Sequence, residues 1–240
     1  MNYLLFAAIL IGGVAVQCLT GFGFGIFVSC FLPLLLPMHA SVAVLALLSI
    51  VINGQILWNL RHHIHLLAVL PTVAACLVGQ SIGISFLFSA DELILKRSMG
   101  CILLLLAAFF AFVKGRLHLK PSLANGICIG IFGGLLNTFN IAGPLIAAYY
   151  YFACDSSETY TANLQATFLL TSIYNLLLHL LYGNLTPTVI GFSAIGTIIL
   201  IPAIWLGRHF TKNMQKKTVG TLIYSFVALM GLLQIITASR

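Results

Sequence analysis

The chain has 240 residues, of which 61% are hydrophobic and 6% charged, with a mean hydropathy of +1.11 and a formal net charge of +7. A soluble domain carries about 25% charged residues, so a water-soluble fold is excluded and an integral membrane protein is indicated. Runs such as residues 102–112 show no alternation of apolar and polar positions, which excludes a β-barrel and predicts helical spans. The basic residues lie in short loops, where they set orientation and meet lipid headgroups, so the positive charge does not indicate nucleic acid.

In chain order, Met1-Asn2-Tyr3-Leu4 lacks a basic n-region and is read as the start of the first helix rather than a signal peptide. The uncharged run over residues 4–36 is too long for one span: 33 residues make about 50 Å of helix, against a hydrocarbon core of about 30 Å. Gly21-Phe22-Gly23-Phe24-Gly25, followed by Pro33 and Pro37, is where it is expected to break. A span over 41–60, a basic loop Arg61-His62-His63-Ile64-His65, a span over 66–88, a charged loop from Asp91 to Arg97 and a span over 98–113 follow. Residues 114–121, with Lys114, Arg116, His118, Lys120 and Pro121, read as a linker. Beyond it the order repeats: a second broken run over 122–153 containing Gly133, Gly134, Gly143 and Pro144, an acidic loop with Asp155 and Glu158, spans near 160–182 and 187–207, a basic loop over 208–217, and a last span to about Ile236.

These segments predict an all-α polytopic bundle with about eight long apolar segments and eight to ten passes. It forms one membrane domain of two homologous halves, residues 1–113 and 122–240. A shift of about 111 residues lays Phe22-Gly23 on Gly133-Gly134 and Pro33 on Pro144; shifts near 122 and 124 lay Asn53 on Asn175 and Gly83 on Gly207. If each broken run crosses once, Lys and Arg divide six against five; if each turns back at its glycines, they divide eight against three. The positive-inside rule favours the second arrangement, which also makes the halves inverted repeats, a common transporter plan.

The four acidic residues (Asp91, Glu92, Asp155, Glu158) are all placed in loops, and no His-Glu-x-x-His or Gly-x-Ser-x-Gly motif occurs. Hydrolytic chemistry has no candidate residues, and no cofactor or metal is expected. The six scattered cysteines read as small packing residues. His62, His63 and His65 read as headgroup-region residues before metal ligands. His179 is placed mid-span near Asn175, as a packing histidine. Tyr3, Trp58, Tyr182 and Trp205 read as interfacial anchors; Phe22, Phe24 and Phe139 either line a pore or pack.

An anion site needs only backbone N–H groups at half-helix N-termini and neutral donors. The candidate binding residues are Gln17, Thr20, Gly21, Gly23, Gly25 and Asn53 in the first half and Gly134, Asn137, Thr138, Asn140, Gly143 and Asn175 in the second. The competing reading of each is close helix packing.

With Gly21–Gly25 followed by Pro33, and Gly133-Gly134 followed by Pro144-Leu145, the whole chain resembles the sulfite exporter TauE/SafE family of membrane transporters. It departs from the family where a further glycine cluster is usual, reading Asn137-Thr138-Phe139-Asn140-Ile141-Ala142-Gly143. The resemblance implies transport of a small sulfur-containing anion, sulfite or an organosulfonate, across a bacterial-type inner membrane. Without membrane-embedded carboxylates, export driven by an inside-negative potential is the expected mode. A channel-like pore and a non-transporting scaffold are the alternatives, and homo-oligomerisation stays open.

Overall fold

The computed structural model describes residues 3–112 and 122–211 together with 232 and 236. The predicted linker, the basic stretch beyond Thr211 and the last span fall outside the described residues. The described chain is helical: α1 (Tyr3–Thr20), α2 (Phe24–Phe31, continued by a 3-10 turn over Leu32–Leu34), α3 (Met38–Trp58), α4 (Leu66–Ser89), α5 (Glu92–Phe112), α6 (Leu123–Asn137), α7 (Gly143–Ala153), α8 (Ser157–Leu181) and α9 (Pro187–Thr211). Five of these, α1, α3, α4, α8 and α9, are long and apolar enough to cross a membrane. Large apolar residues such as Leu4, Leu67, Leu105 and Ile198 face outward. Water would not tolerate such a surface, whereas lipid suits it.

Three expectations need correction. The stretch from Glu92 to Arg97 is not a loop but the first turns of α5, where Glu92 and Lys96 pair at 2.9 Å; Glu at a helix N-terminus also complements the helix dipole. Glu158 likewise lies in the first turn of α8, whose N-cap Ser156 accepts a hydrogen bond from Thr159 N at 3.1 Å. His179 sits in the last turn of α8 rather than mid-span.

Both broken runs turn back on themselves. In the first, Gly12 of α1 packs against the Phe27 ring and Gly23 against Val16, so α2 returns antiparallel to α1. The turn needs left-handed backbone at Gly21 (φ 80°) and Gly23 (φ 115°), which glycine adopts without steric cost. In the second, Gly126 faces Tyr149 and Gly133 faces Ile146, so α7 returns along α6. The break there is at residues 138–142, beyond Gly133-Gly134, and its left-handed residue is Asn140 (φ 58°). Asn is among the few residues other than glycine that visit this region readily.

The hairpins open at opposite ends of the bundle. Tyr3 and Phe6 meet Phe192 while Val14 and Cys18 meet Gly207, so α1 runs parallel to α9 and enters from the end where α9 begins. Helix α6 runs parallel to α4, with Gly130 beside Thr72 and Gly83 beside Thr138, and enters from the end where α4 begins. The ends are opposed because the beginnings of α3 and α9 share one end with the close of α4, tied by Asn184 Nδ2 to His39 O (2.8 Å) and His39 Nε2 to Leu87 O (2.9 Å).

The α4–α6 contact rests on glycines spaced by four. Gly130 and Gly134 on α6 and Gly79 on α4 allow backbone to touch backbone, while Gly126 and Gly83 admit the Thr72 and Thr138 side chains; a Cβ at Gly134 would strike the Cys76 carbonyl and lie 2.8 Å from Gln80 N. Small residues at this spacing are the usual means of close helix approach in lipid. Apolar clusters flank the hairpins, one holding Phe6, Leu10, Phe24, Leu48 and Phe192, another Cys76, Ile146, Tyr150 and Leu164.

Candidate functional site

The two hairpin tips meet in the interior. Gly25, in the first turn of α2, abuts the Asn140 carbonyl, and Gly143, at the start of α7, lies against the Phe22 ring. Any larger residue at position 25 would hold the tips apart. The tips border a cavity of about 30 Å³, lined by Gln17, Gly23, Phe24, Gly25, Ile26, Ser49, Ile52, Asn53, Asn137, Asn140, Gly143, Phe168 and Ser172. That is room for about two waters. A larger hollow of about 250 Å³ is walled by Ile102, Leu105, Leu106, Leu136 and Leu145; an anion would find no polar side chain there.

Gln17 organises the first tip. Its Oε1 accepts from Phe24 N at 3.1 Å, and its Nε2 lies 3.4 Å from Gln165 Oε1 and 3.5 Å from Gly21 O. Gln165 Nε2 also donates to Gly21 O at 2.7 Å. Phe27 N binds Gly23 O at 2.9 Å. Gly25 and Ile26, whose N–H groups belong to the unpaired first turn of the helix, form part of the cavity wall. The positive end of the α2 dipole therefore faces the cavity.

The second tip supplies amides. Asn140 Nδ2 donates to Val42 O at 3.3 Å, fixing the tip against α3. Asn137 is buried, and its Nδ2 has no hydrogen-bond partner. From α8, Asn175 Nδ2 donates to Asn137 O at 3.4 Å. Four more side-chain atoms near this tip are buried without partners: Gln80 Oε1 and Nε2, Thr138 Oγ1 and Asn175 Oδ1. A buried polar atom left without a partner costs on the order of 1–3 kcal/mol, so each of these calls for a partner outside the protein, an ordered water or a ligand. No charged side chain lines the cavity.

Seven of the sequence candidates line this cavity: Gln17, Gly23, Gly25, Asn53, Asn137, Asn140 and Gly143. The other five do not. Thr20 Oγ1 bonds back to Val16 O (2.8 Å) and to Phe22 O. Gly21 offers its carbonyl to the two glutamines. Gly134 is pressed against α4, Thr138 faces Gly83, and Asn175 stands behind Asn137. Sequence reasoning missed Ser49, Ile26, Ile52, Phe168 and Ser172. Ser49 lies one turn before Asn53 on α3 and Ser172 one turn before Asn175 on α8, so helical spacing from the chosen asparagines was the available signal. Around His62, His63 and His65, as elsewhere among the described residues, no group of three metal-ligating side chains converges.

A family profile described as "Sulfite exporter TauE/SafE" matches residues 5–233. The chain is also similar to "Probable sulfite/organosulfonate exporter TauE" of Cupriavidus necator, at 26% identity over 231 residues, covering 94% of this chain and 90% of that protein. No solved structure matches the chain.

Proposed function

The chain belongs to the sulfite exporter TauE/SafE family, and from that premise we propose that it carries sulfite or a small organosulfonate out of the cell through the cavity between the two hairpin tips. As a member of a transporter family it is a multi-pass membrane transporter and not an enzyme. The observation that carries the reading is the convergence of the α2 N-terminus with the unpaired Asn137 amide on one buried, uncharged cavity. Backbone N–H groups, a helix dipole and neutral amides bind an anion without the cost of a buried cation.

The same reading gives the architecture its logic. Residues 1–113 and 122–240 are inverted halves joined by 114–121, each opening with a turned-back hairpin, which yields about eight long apolar segments and up to ten passes. Entry of the hairpins from opposite ends supports inversion. Arg61 then shares an end with the linker, and Lys96 and Arg97 lie at the other; eight Lys and Arg fall on the Arg61 end against three. The Arg61 end is cytoplasmic, in a bacterial-type inner membrane. An inside-negative potential favours anion exit by about 2.3 kcal/mol per charge per 100 mV, and no carboxylate lines the cavity, so export proceeds on the potential alone.

Counterflow in proteoliposomes with sulfite, thiosulfate, sulfoacetate and other sulfonates tests this. Saturable sulfite flux that follows an imposed potential is expected, and flux without saturation or competition would indicate a pore. Asn137→Ala and Asn140→Gly should each reduce it at least tenfold; the glycine keeps the left-handed backbone at 140 and removes only the amide. Normal flux in both variants overturns the site.

A further inference from the structure

Gln80 lies on the face of α4 pressed against α6. It is 0% exposed, and neither end of its amide has a hydrogen-bond partner. Its backbone N is 2.8 Å from the point where a side chain at Gly134 would begin, so Gln80 leaves α4 beside the last turn of α6. That turn ends in Asn137, followed by Thr138, with Nδ2 and Oγ1 buried and unpartnered. On the α8 side, Asn175 binds Asn137 O and leaves its Oδ1 unmatched. Three helices thus gather unmatched donors and acceptors around the end of α6, and one of the four residues, Asn137, forms part of the cavity wall. Packing does not account for this. Methionine would fill the volume of Gln80 without the desolvation cost of an unpaired amide. Buried polar groups normally find partners, in the protein, in ordered water or in a ligand, and this cluster has none within the protein.

We infer that Gln80 contacts the transported anion, at a second station behind Asn137 built with Thr138 and Asn175. The inference rests on the transport reading above. The unmatched donors are the amide N–H groups of Gln80 and Asn137 and the Thr138 hydroxyl; the unmatched acceptors are Gln80 Oε1 and Asn175 Oδ1. A neutral site offering both takes an oxyanion that brings one O–H, either its own or that of a water travelling with it. The oxyanion's bare oxygens take the donors, and the O–H donates to an amide carbonyl.

The test uses the purified full chain, with thermal unfolding in detergent read with and without sulfite, and sulfite counterflow in proteoliposomes. Gln80→Met should unfold at or above the wild-type temperature without anion. It should need at least tenfold more sulfite for the same stabilisation and transport at least tenfold more slowly. Thr138→Val, nearly isosteric, should shift the sulfite requirement in the same direction. Gln80→Met removes the N–H donor together with Oε1, so methanesulfonate, which has no O–H of its own, should also bind more weakly; a larger loss for sulfite means that the O–H on Oε1 belongs to the anion, and equal losses mean that it belongs to a water. If wild type responds to sulfite and Gln80→Met responds at the same concentration, the contact is refuted. Unfolding of Gln80→Met well below wild type without anion makes Gln80 structural and also refutes it. A wild-type protein that neither binds nor transports any of these anions refutes the transport reading itself.

Discussion

The contact between the hairpin tips makes Gly25→Ala the most informative single substitution. A Cβ at position 25 would overlap the Asn140 carbonyl oxygen. That oxygen is backbone and cannot rotate aside, and Cβ atoms in folded proteins essentially never sit closer than 3.0 Å to a neighbour. The tips must therefore part by about 1 Å, and overpacking of this kind costs about 1–3 kcal/mol. The same displacement widens a cavity of only about 30 Å³ and pulls the α2 N–H groups away from the Asn137 and Asn140 amides. If the anion bridges the tips, it loses binding energy of similar size, about 5- to 150-fold in affinity. The assay pairs thermal unfolding in detergent with sulfite counterflow. Gly191→Ala is the control: it lies within α9 with nothing within 4 Å of its Cβ position, so alanine there should be neutral or stabilising by up to about 1 kcal/mol. Gly25→Ala with wild-type melting and wild-type transport would show that the tips do not bear on each other in the working protein.

Two further predictions follow from the same geometry. Gln17→Leu removes the oxygen that accepts from Phe24 N and the amide linked to Gln165, so stability should fall by about 1–3 kcal/mol and sulfite affinity with it; an unchanged melting temperature would mean that Gln17 does not hold the α2 N-terminus. In a background free of the native cysteines, Arg61→Cys should react with a membrane-impermeant thiol reagent from the cytoplasmic side and Lys96→Cys from the opposite side, in intact cells and inverted vesicles respectively protected and exposed for position 61. Reaction of position 61 from outside intact cells reverses the proposed orientation.

The first hairpin was legible in the sequence because its turn is built from glycines at left-handed positions, which few other residues adopt without strain. The second was less legible for the complementary reason. Gly133-Gly134 aligns with the first turn in the proposed repeat but lies within α6, with Gly134 serving contact with α4, while the left-handed residue of the turn is an asparagine. Glycine has two uses in a membrane helix, a turn or a close approach, and composition does not say which; the spacing of four through Gly126, Gly130 and Gly134 was the sign of packing. Beyond offering an amide, Asn140 sets the backbone of the turn and anchors it through Val42 O. Asn140 thus adopts a backbone conformation favoured by glycine while adding a hydrogen-bonding group at the cavity. Thr20 and Gly21, by contrast, spend their polar groups inside their own turn and on Gln17 and Gln165, a local satisfaction visible only once the chain has folded back. The asymmetry between the tips follows: the first contributes backbone N–H groups held by Gln17, and the second contributes amide side chains, so substitutions at 137 and 140 should alter which anion is preferred, whereas substitution at 25 should weaken all anions alike.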